Sequence, residues 1–327
     1  MNDWLEMDLR PLRLGELLDR TFVLYRRRFT LFAGILLLPQ GILLAGQLVL
    51  QGLFHPIVGG RPGQPVNPAD TIALAGMNFL LVILYLVVYI FALGAATGAI
   101  SDVYLNRPIS IRGAYRKLQG RVGSMIGLMV VLTLIASAVF FAAFIFASVF
   151  MAIGIGVASL LGPTFGIVAG GVFFLGVAGL AVWVFLHFAL AVPALVLERT
   201  GVFESLGRSW QLTRSLCGKI FVGWVLTMLL VYNAILLIQG PFLAAVFWYT
   251  FKVGAMPFWL TAASAVAAAV SNILSGPFVV LVIALFYYDA RVRKEALDLR
   301  LLLARAEGEA QPQQPSSPSP VSGALLG

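Results

Sequence analysis

The sequence predicts an all-α, polytopic integral membrane protein with six transmembrane helices and three in-plane amphipathic helices. Three observations carry this. First, 60% of the 327 residues are hydrophobic and only 11% are charged, against about 25% charged in a soluble domain. Second, the chain contains long charge-free intervals. No Lys, Arg, Asp or Glu lies between Arg28 and Arg61, Asp70 and Asp102, Arg121 and Glu198, Lys219 and Lys252, or Lys252 and Asp289. About 20 apolar residues cross the roughly 30 Å hydrocarbon layer as a helix. The third interval is long enough for two crossings, so the five intervals hold six spans. Third, alternating spans place 20 of the 22 basic residues on one side, leaving only Arg61 and Lys252 on the other. Positive-inside topology makes that side cytoplasmic, in a bacterial-type cytoplasmic (inner) membrane, with both termini there.

Residues 1–28 read as a cytoplasmic amphipathic segment. Leu14, Leu17, Leu18, Phe22 and Tyr25 share one helical face, with Arg13, Glu16, Asp19 and Arg20 largely opposite. Arg26, Arg27 and Arg28 stop at the interface, and the six-helix domain spans residues 29–288. Span one runs from about Phe29 to Phe54, and a Pro- and Gly-rich loop, residues 55–70, turns the chain on the outer side. Span two, about Thr71 to Tyr104, leads into a basic island. There Ile111, Tyr115, Leu118 and Val122 make an apolar face, with Arg112, Arg116 and Lys117 mostly opposite.

Span three begins near Val122 and span four ends near Leu197, with the best break at Gly162-Pro163. Glu198 to Lys219 forms a third in-plane element, with an apolar stripe of Phe203, Leu206 and Trp210 and an expected Glu204–Arg208 pair. Span five runs from about Ile220 to Phe251 and span six from about Phe258 to Tyr288. Trp248, Tyr249, Phe258 and Trp259 mark the outer interface between them. Residues 289–309 form a cytoplasmic charged helix. The Pro-, Gln- and Ser-rich residues 310–327 lack an apolar period and read as a disordered tail.

In-plane element, span out and span back thus recur three times. Tyr104, Leu105, Arg107, Arg116 and Gln119 superimpose, 92 residues on, with Val196, Leu197, Arg199, Arg208 and Gln211, and a further 92 places Tyr288 and Arg291 on Tyr104 and Arg107. Two spans per unit keep all copies in one orientation, so the pattern fits parallel repeats. Shared insertion constraints would produce part of the same likeness.

Three motifs carry a family resemblance: LRPLRLGELLDRTFVLYRRRF, PALVLERTGVFESLGRSWQLTR and LFYYDARVRKEALDL. Over about residues 8 to 300 the chain resembles the glycerophosphoryl diester phosphodiesterase membrane domain family and bacterial six-span proteins of unknown function. The resemblance covers the membrane part. In some members that part is fused to a soluble phosphodiesterase domain, which is not found here, so the likeness implies no catalysis for this chain.

The residues themselves argue the same way. Phosphodiester hydrolysis needs His and clustered carboxylates to hold a metal and move protons. The two histidines, His55 in the outer loop and His187 in span four, lie on separate elements without a ligand-spaced companion. His187 reads as a packed, hydrogen-bonded histidine. One cysteine, Cys217, excludes an internal disulfide and a cysteine metal pair. Residues 1–28 contain no apolar signal-peptide core. No enzyme activity, catalytic residue, metal or cofactor is expected. The net charge of +8 sits at span ends rather than along a continuous groove, so no nucleic-acid partner is expected either.

Intramembrane polar residues, Gln40, Gln47, Asn78, Asn233, Gln239 and Asn272, bond helix to helix or line a solute path. Breakers occur at Pro39-Gln40-Gly41, Gly240-Pro241 and Gly276-Pro277, and read as ordinary kinks. The GxxxG pairs Gly94/Gly98 and Gly166/Gly170 suggest close helix contacts. Glu198 and Asp289 should pair locally with Arg199 and Arg291. The expected function is a non-catalytic membrane module that engages anionic lipid of the cytoplasmic leaflet, or a membrane or cytoplasmic protein partner. Arg107, Arg112, Arg116, Lys117, Arg199, Arg208 and Arg291 are its candidate residues. The alternative is a carrier or permease for an uncharged or amphipathic solute, which a polar cavity open to one side would favour.

Overall fold

A computed structural model describes residues 12–58, 67–104, 107, 109–252 and 257–295, with side chains described throughout these except at 55–58, 104, 152–161, 163, 165–167, 169 and 295. The start of the LRPLRLGELLDRTFVLYRRRF stretch, residues 59–66 of the expected loop and the charged C-terminal helix beyond residue 295 with its tail lie outside the described residues, as do the side chain of His55 and the surroundings of Gly166.

Among the described residues the chain is all helix, without strands. The helices are α1 (Leu14–Val58), α2 (Pro68–Tyr104), α3 (Ile111–Arg116), α4 (Val122–Leu161), α5 (Pro163–Phe188), α6 (Ala191–Leu197), α7 (Val202–Thr213), α8 (Cys217–Lys252) and α9 (Phe258–Glu295). Six stretches are long and apolar enough to cross a membrane, and they fall where the charge-free intervals predict them. Their outward faces are apolar to an extent that water would not tolerate: Leu237 is 81% exposed and Phe174 71%. Hydrocarbon is the solvent such faces require.

Helix α1 packs along both α2 and α9, α8 packs on α9, and α4 pairs with α5. Two clusters fill the space between. One joins Phe32, Ile35 and Leu36 of α1 with Ala92, Ala95, Ala99 and Ile100 of α2 and Leu281 and Ala284 of α9. The other gathers Leu17, Leu190, Leu212, Ile220 and Tyr287. The alanine run on α2 is what lets the backbones approach. Gly94 is the tightest point there, because a Cβ on it would stand 2.0 Å from Met125 Cε. Gly98 makes only ordinary contact, at 3.9 Å from Val196, and Gly170 has nothing within 4 Å. The Gly94 half of the first GxxxG is therefore a packing contact, and Gly170 is not.

Helix boundaries follow local chemistry. α1 breaks at Arg28 (φ −123°, ψ 25°), the last of three consecutive arginines and the point where the charge-free interval begins. Gly162 (φ 92°) followed by Pro163 separates α4 from α5. The structure also breaks span four at Ala189–Leu190. Pro193 explains this, since its ring crowds the carbonyl of Ala189 and it has no N–H to offer.

Pro39, Pro241 and Pro277 all sit inside continuous helices. Pro39 has a specific consequence: it deprives the Ile35 carbonyl of its helical donor. Tyr115 of α3 supplies a substitute, its hydroxyl donating to Ile35 O at 2.8 Å. Beside Pro277, Tyr25 donates to Leu274 O at 2.9 Å. Of the polar span residues, Gln40 bonds across helices, to the Tyr85 hydroxyl at 3.0 Å. Asn78, Asn233 and Asn272 instead donate to the carbonyl four residues back in their own helices.

Candidate functional site

The trailing ends of the three even-numbered spans lie at one end of the molecule, and each carries a sheltered carboxylate. Asp102, at the end of α2, is 6% exposed. It receives Lys117 Nζ at 2.5 and 2.6 Å, from the turn after α3. Glu198 follows α6 and accepts from Arg208 Nε of α7 at 2.9 Å and from the Tyr287 hydroxyl of α9 at 2.5 Å. Arg291 Nε stands 3.6 Å from the same carboxylate. Asp289, near the end of α9, is 3% exposed. It holds Lys219 Nζ at 2.5 Å, Arg293 Nε at 3.0 Å and the Leu12 backbone N–H at 2.8 Å. Both cations also donate to Leu12 O, each at 2.7 Å.

These pairs correct the expected local ones. Glu198 reaches Arg208 and Arg291 rather than its neighbour Arg199. Asp289 reaches Lys219 and Arg293, and binds the N-terminal segment as well. The reason is backbone direction. Arg199 adopts a left-handed conformation (φ 59°) at the turn into α7 and is exposed, so its side chain leaves the carboxylate beside it. Glu204 accepts from the Gly201 N–H at 3.3 Å, capping α7.

The elbow helices are short, and their apolar residues are only partly covered by protein. α3 ends at Arg116 and passes through a turn and a single 3-10 turn, Gln119–Arg121, into α4. Leu118 is buried, whereas Ile111 and Val122 are 40% and 42% exposed. In α7, Phe203 is 78% exposed, and the buried face is Ser205, Leu206, Ser209, Leu212 and Thr213. The hydroxyls on that face tolerate burial because they bond to backbone. Ser205 donates to Val202 O, Thr213 to Ser209 O and Ser209 to His187 O, each at 2.7 Å.

The candidate residues thus divide. Lys117, Arg208 and Arg291 are engaged by carboxylates. Arg107, Arg112, Arg116 and Arg199 are exposed at the same end, and among the described residues no carboxylate lies within ion-pair distance of them. Sequence reasoning missed Lys219, Arg293, Arg214, Lys294 and Tyr115. Only Tyr115 had a visible signal. Pro39 names the carbonyl it frees, that of Ile35, and so calls for a donor from a neighbouring element.

His187 is 3% exposed, its Nδ1 2.8 Å from Trp183 O and its ring packed between Trp183 and Trp210 at 4.4 and 4.2 Å. That is the packed histidine expected. Among the described residues no group of three or more His, Cys, Asp and Glu side chains is placed to hold a metal ion. An apolar groove of about 780 Å³ is lined chiefly by α4 and α5 with Leu86 of α2.

Six apolar spans and a basic end with sheltered carboxylates define a multi-pass α-helical membrane protein. Residues 29–290 match the family described as Domain of unknown function (DUF7847), and the chain belongs to that family. No curated protein and no solved structure matches it.

Proposed function

We propose that this protein is a non-catalytic module of the cytoplasmic membrane that engages anionic lipid through its basic, cytoplasm-facing end. The observation that carries the reading is the division of the cations. One set, Lys117, Arg208, Arg291, Lys219 and Arg293, is bound to carboxylates and ties the elbows to the spans. A second set, Arg107, Arg112, Arg116 and Arg199, is exposed beside them. Each Lys or Arg held near an anionic leaflet contributes about 1 kcal/mol of attraction. The likeness to the glycerophosphoryl diester phosphodiesterase membrane domain fits this reading as a membrane part without catalysis. The three carboxylate clamps, one at the inner end of each even-numbered span, support taking the elbows as in-plane elements of three related units. Span six is tied to the N-terminal segment, as the unit order would require if it closed into a ring.

The second reading, a carrier or permease for an uncharged or amphipathic solute, calls for a polar cavity open to one side, whereas the α4–α5 groove is apolar apart from Thr133 and Ser137. Recovery from native membranes in mild detergent, with lipids and proteins both identified, separates the readings. Anionic phospholipid enriched over the bulk membrane, and lost at high salt, supports the lipid module. Lipid in bulk proportion, with a solute or protein recovered in its place, refutes it.

A further inference from the structure

The hairpin of α8 and α9 carries its own depth scale. Tyr249 and Trp259 meet at 6.3 Å between ring centroids, at the end of the hairpin away from the carboxylate clamps. Tyr and Trp in that position mark the edge of a bilayer, and about 20 helical residues cross its hydrocarbon. Counting that far inward from Tyr249 reaches Leu229, and from Phe258 it reaches Phe278. Both helices run on past this level, to Cys217 and Glu295. Exposure changes there too. On α8, Leu237 and Leu229 are 81% and 62% exposed, whereas Leu226 is 40% exposed. On α9, Val266, Val270 and Leu274 are exposed, whereas Phe278, Leu281 and Val282 are buried. Headgroups of the nearer leaflet therefore meet the hairpin at about Leu229 and Phe278.

A groove of about 230 Å³ lies at that level, lined by Asp19 and Phe22 of α1, Leu226, Thr227 and Leu230 of α8, and Phe278 of α9. Phe278 and Thr227 are buried, and the Thr227 hydroxyl is already spent on Gly223 O at 2.7 Å. Phe22, Leu226 and Leu230 are exposed. Asp19 is exposed as well and is the one charged side chain in the lining. The carboxylates of Asp102, Glu198 and Asp289 are held by cations. Among the described residues no cation lies within ion-pair distance of Asp19.

An apolar slot takes hydrocarbon, and a carboxylate beside it takes a cation that has N–H donors. A phospholipid with a primary ammonium headgroup presents both at this depth. The quaternary ammonium of phosphatidylcholine carries the charge without a donor, and a purely anionic headgroup is repelled. We propose that the α1–α8 groove is a site for a phospholipid with a primary ammonium headgroup, its acyl chain along Phe22, Leu226 and Leu230 and its ammonium on Asp19. The site is separate from the exposed arginines and does not rest on the anionic-lipid reading.

The test uses the full chain in nanodiscs of equal phosphatidylethanolamine and phosphatidylcholine with matched acyl chains, reading retained lipid by native mass spectrometry. With no anionic lipid present, the basic end gives no bias between the two. Wild type should retain the ethanolamine lipid roughly fivefold over the choline lipid, the upper worth of an exposed ion pair. D19N should fall to near parity, D19E should stay near wild type, and R112Q/R116Q should leave the ratio unchanged. L226W, at an exposed position, should lower retention of the ethanolamine lipid by filling the groove, which keeps the site testable if D19N does not fold. Parity in wild type, or the full preference kept in D19N, overturns the proposal. Equal retention of both lipids that L226W abolishes makes the groove a general acyl-chain slot and overturns the headgroup assignment. A dimer of the chain that L226W dissociates gives the groove to a second copy and overturns it too. None of these results bears on phosphatidylglycerol, whose retention decides the reading above.

Discussion

Replacing Asp289 by Asn should loosen the closure between the two ends of the chain. The carboxylate is 3% exposed and takes three donors, from Lys219, Arg293 and the Leu12 N–H. Asn keeps the shape and one acceptor, so the Leu12 bond can persist, but the charge facing two cations is lost. A hydrogen bond to a charged group contributes about 1.5–3 kcal/mol, and breaking a fully buried pair costs about 3–5 kcal/mol. Here the loss should be smaller. The Lys219 and Arg293 side chains are 18% and 33% exposed, and Leu12 O still accepts from both. About 2–4 kcal/mol follows, which at about 2–4 °C per kcal/mol lowers Tm by roughly 5–10 °C. The chain has one cysteine, Cys217, partly buried two residues from Lys219. A thiol-reactive fluorophore therefore reports opening at this junction directly. D289N should melt earlier and label faster below its transition. Asp19→Asn, at an exposed position, should shift Tm by less than about 2 °C. A D289N protein that melts and labels like wild type would refute the clamp.

Tyr115→Phe should cost about 1–2 kcal/mol, because the Ile35 carbonyl loses its donor inside the membrane. In a Pro39→Ala background the restored N–H of residue 39 can serve that carbonyl, so the same change should cost almost nothing; equal costs in both backgrounds would sink the explanation. Gly223→Ala places a methyl 2.2 Å from Phe286 Cζ and 2.9 Å from Leu14 Cδ1, and thermal melts should show a loss of about 1–3 kcal/mol. Gly120→Ala meets nothing within 4 Å and should melt at or slightly above wild type. For orientation, cysteines introduced in a Cys217→Ser background are diagnostic. Ala69→Cys should react with an impermeant reagent on intact cells, and Gly120→Cys only after permeabilisation. The reverse pattern would invert the topology.

Most of the architecture was legible because hydrocarbon imposes a coarse rule on composition. The charge-free intervals placed all six spans, the three arginines ending at Arg28 placed the break in α1, and Gly162-Pro163 placed the turn between α4 and α5. The elbows were less legible, since apolar period alone does not say which neighbour covers a face. The apolar period groups Phe203 with Leu206, yet only Leu206 is covered by protein, while Ser205, Ser209 and Thr213 are buried because their hydroxyls find backbone acceptors. The ion pairs were least legible. Arg199 is next to Glu198 in the chain, yet its left-handed backbone and the arrival of α7 and α9 give that carboxylate to Arg208 and Arg291. Asp289 and Leu12 are 277 residues apart, a pairing that only the packing of α9 on α1 creates.

The measurement closest to the central claim is the composition of lipid retained by the wild-type protein released from vesicles of equal phosphatidylglycerol and phosphatidylcholine. The basic end predicts a bound population dominated by phosphatidylglycerol at low salt, declining towards the bulk ratio as ionic strength shortens the reach of the exposed arginines. Retained lipid that mirrors the vesicle at every salt concentration would contradict it.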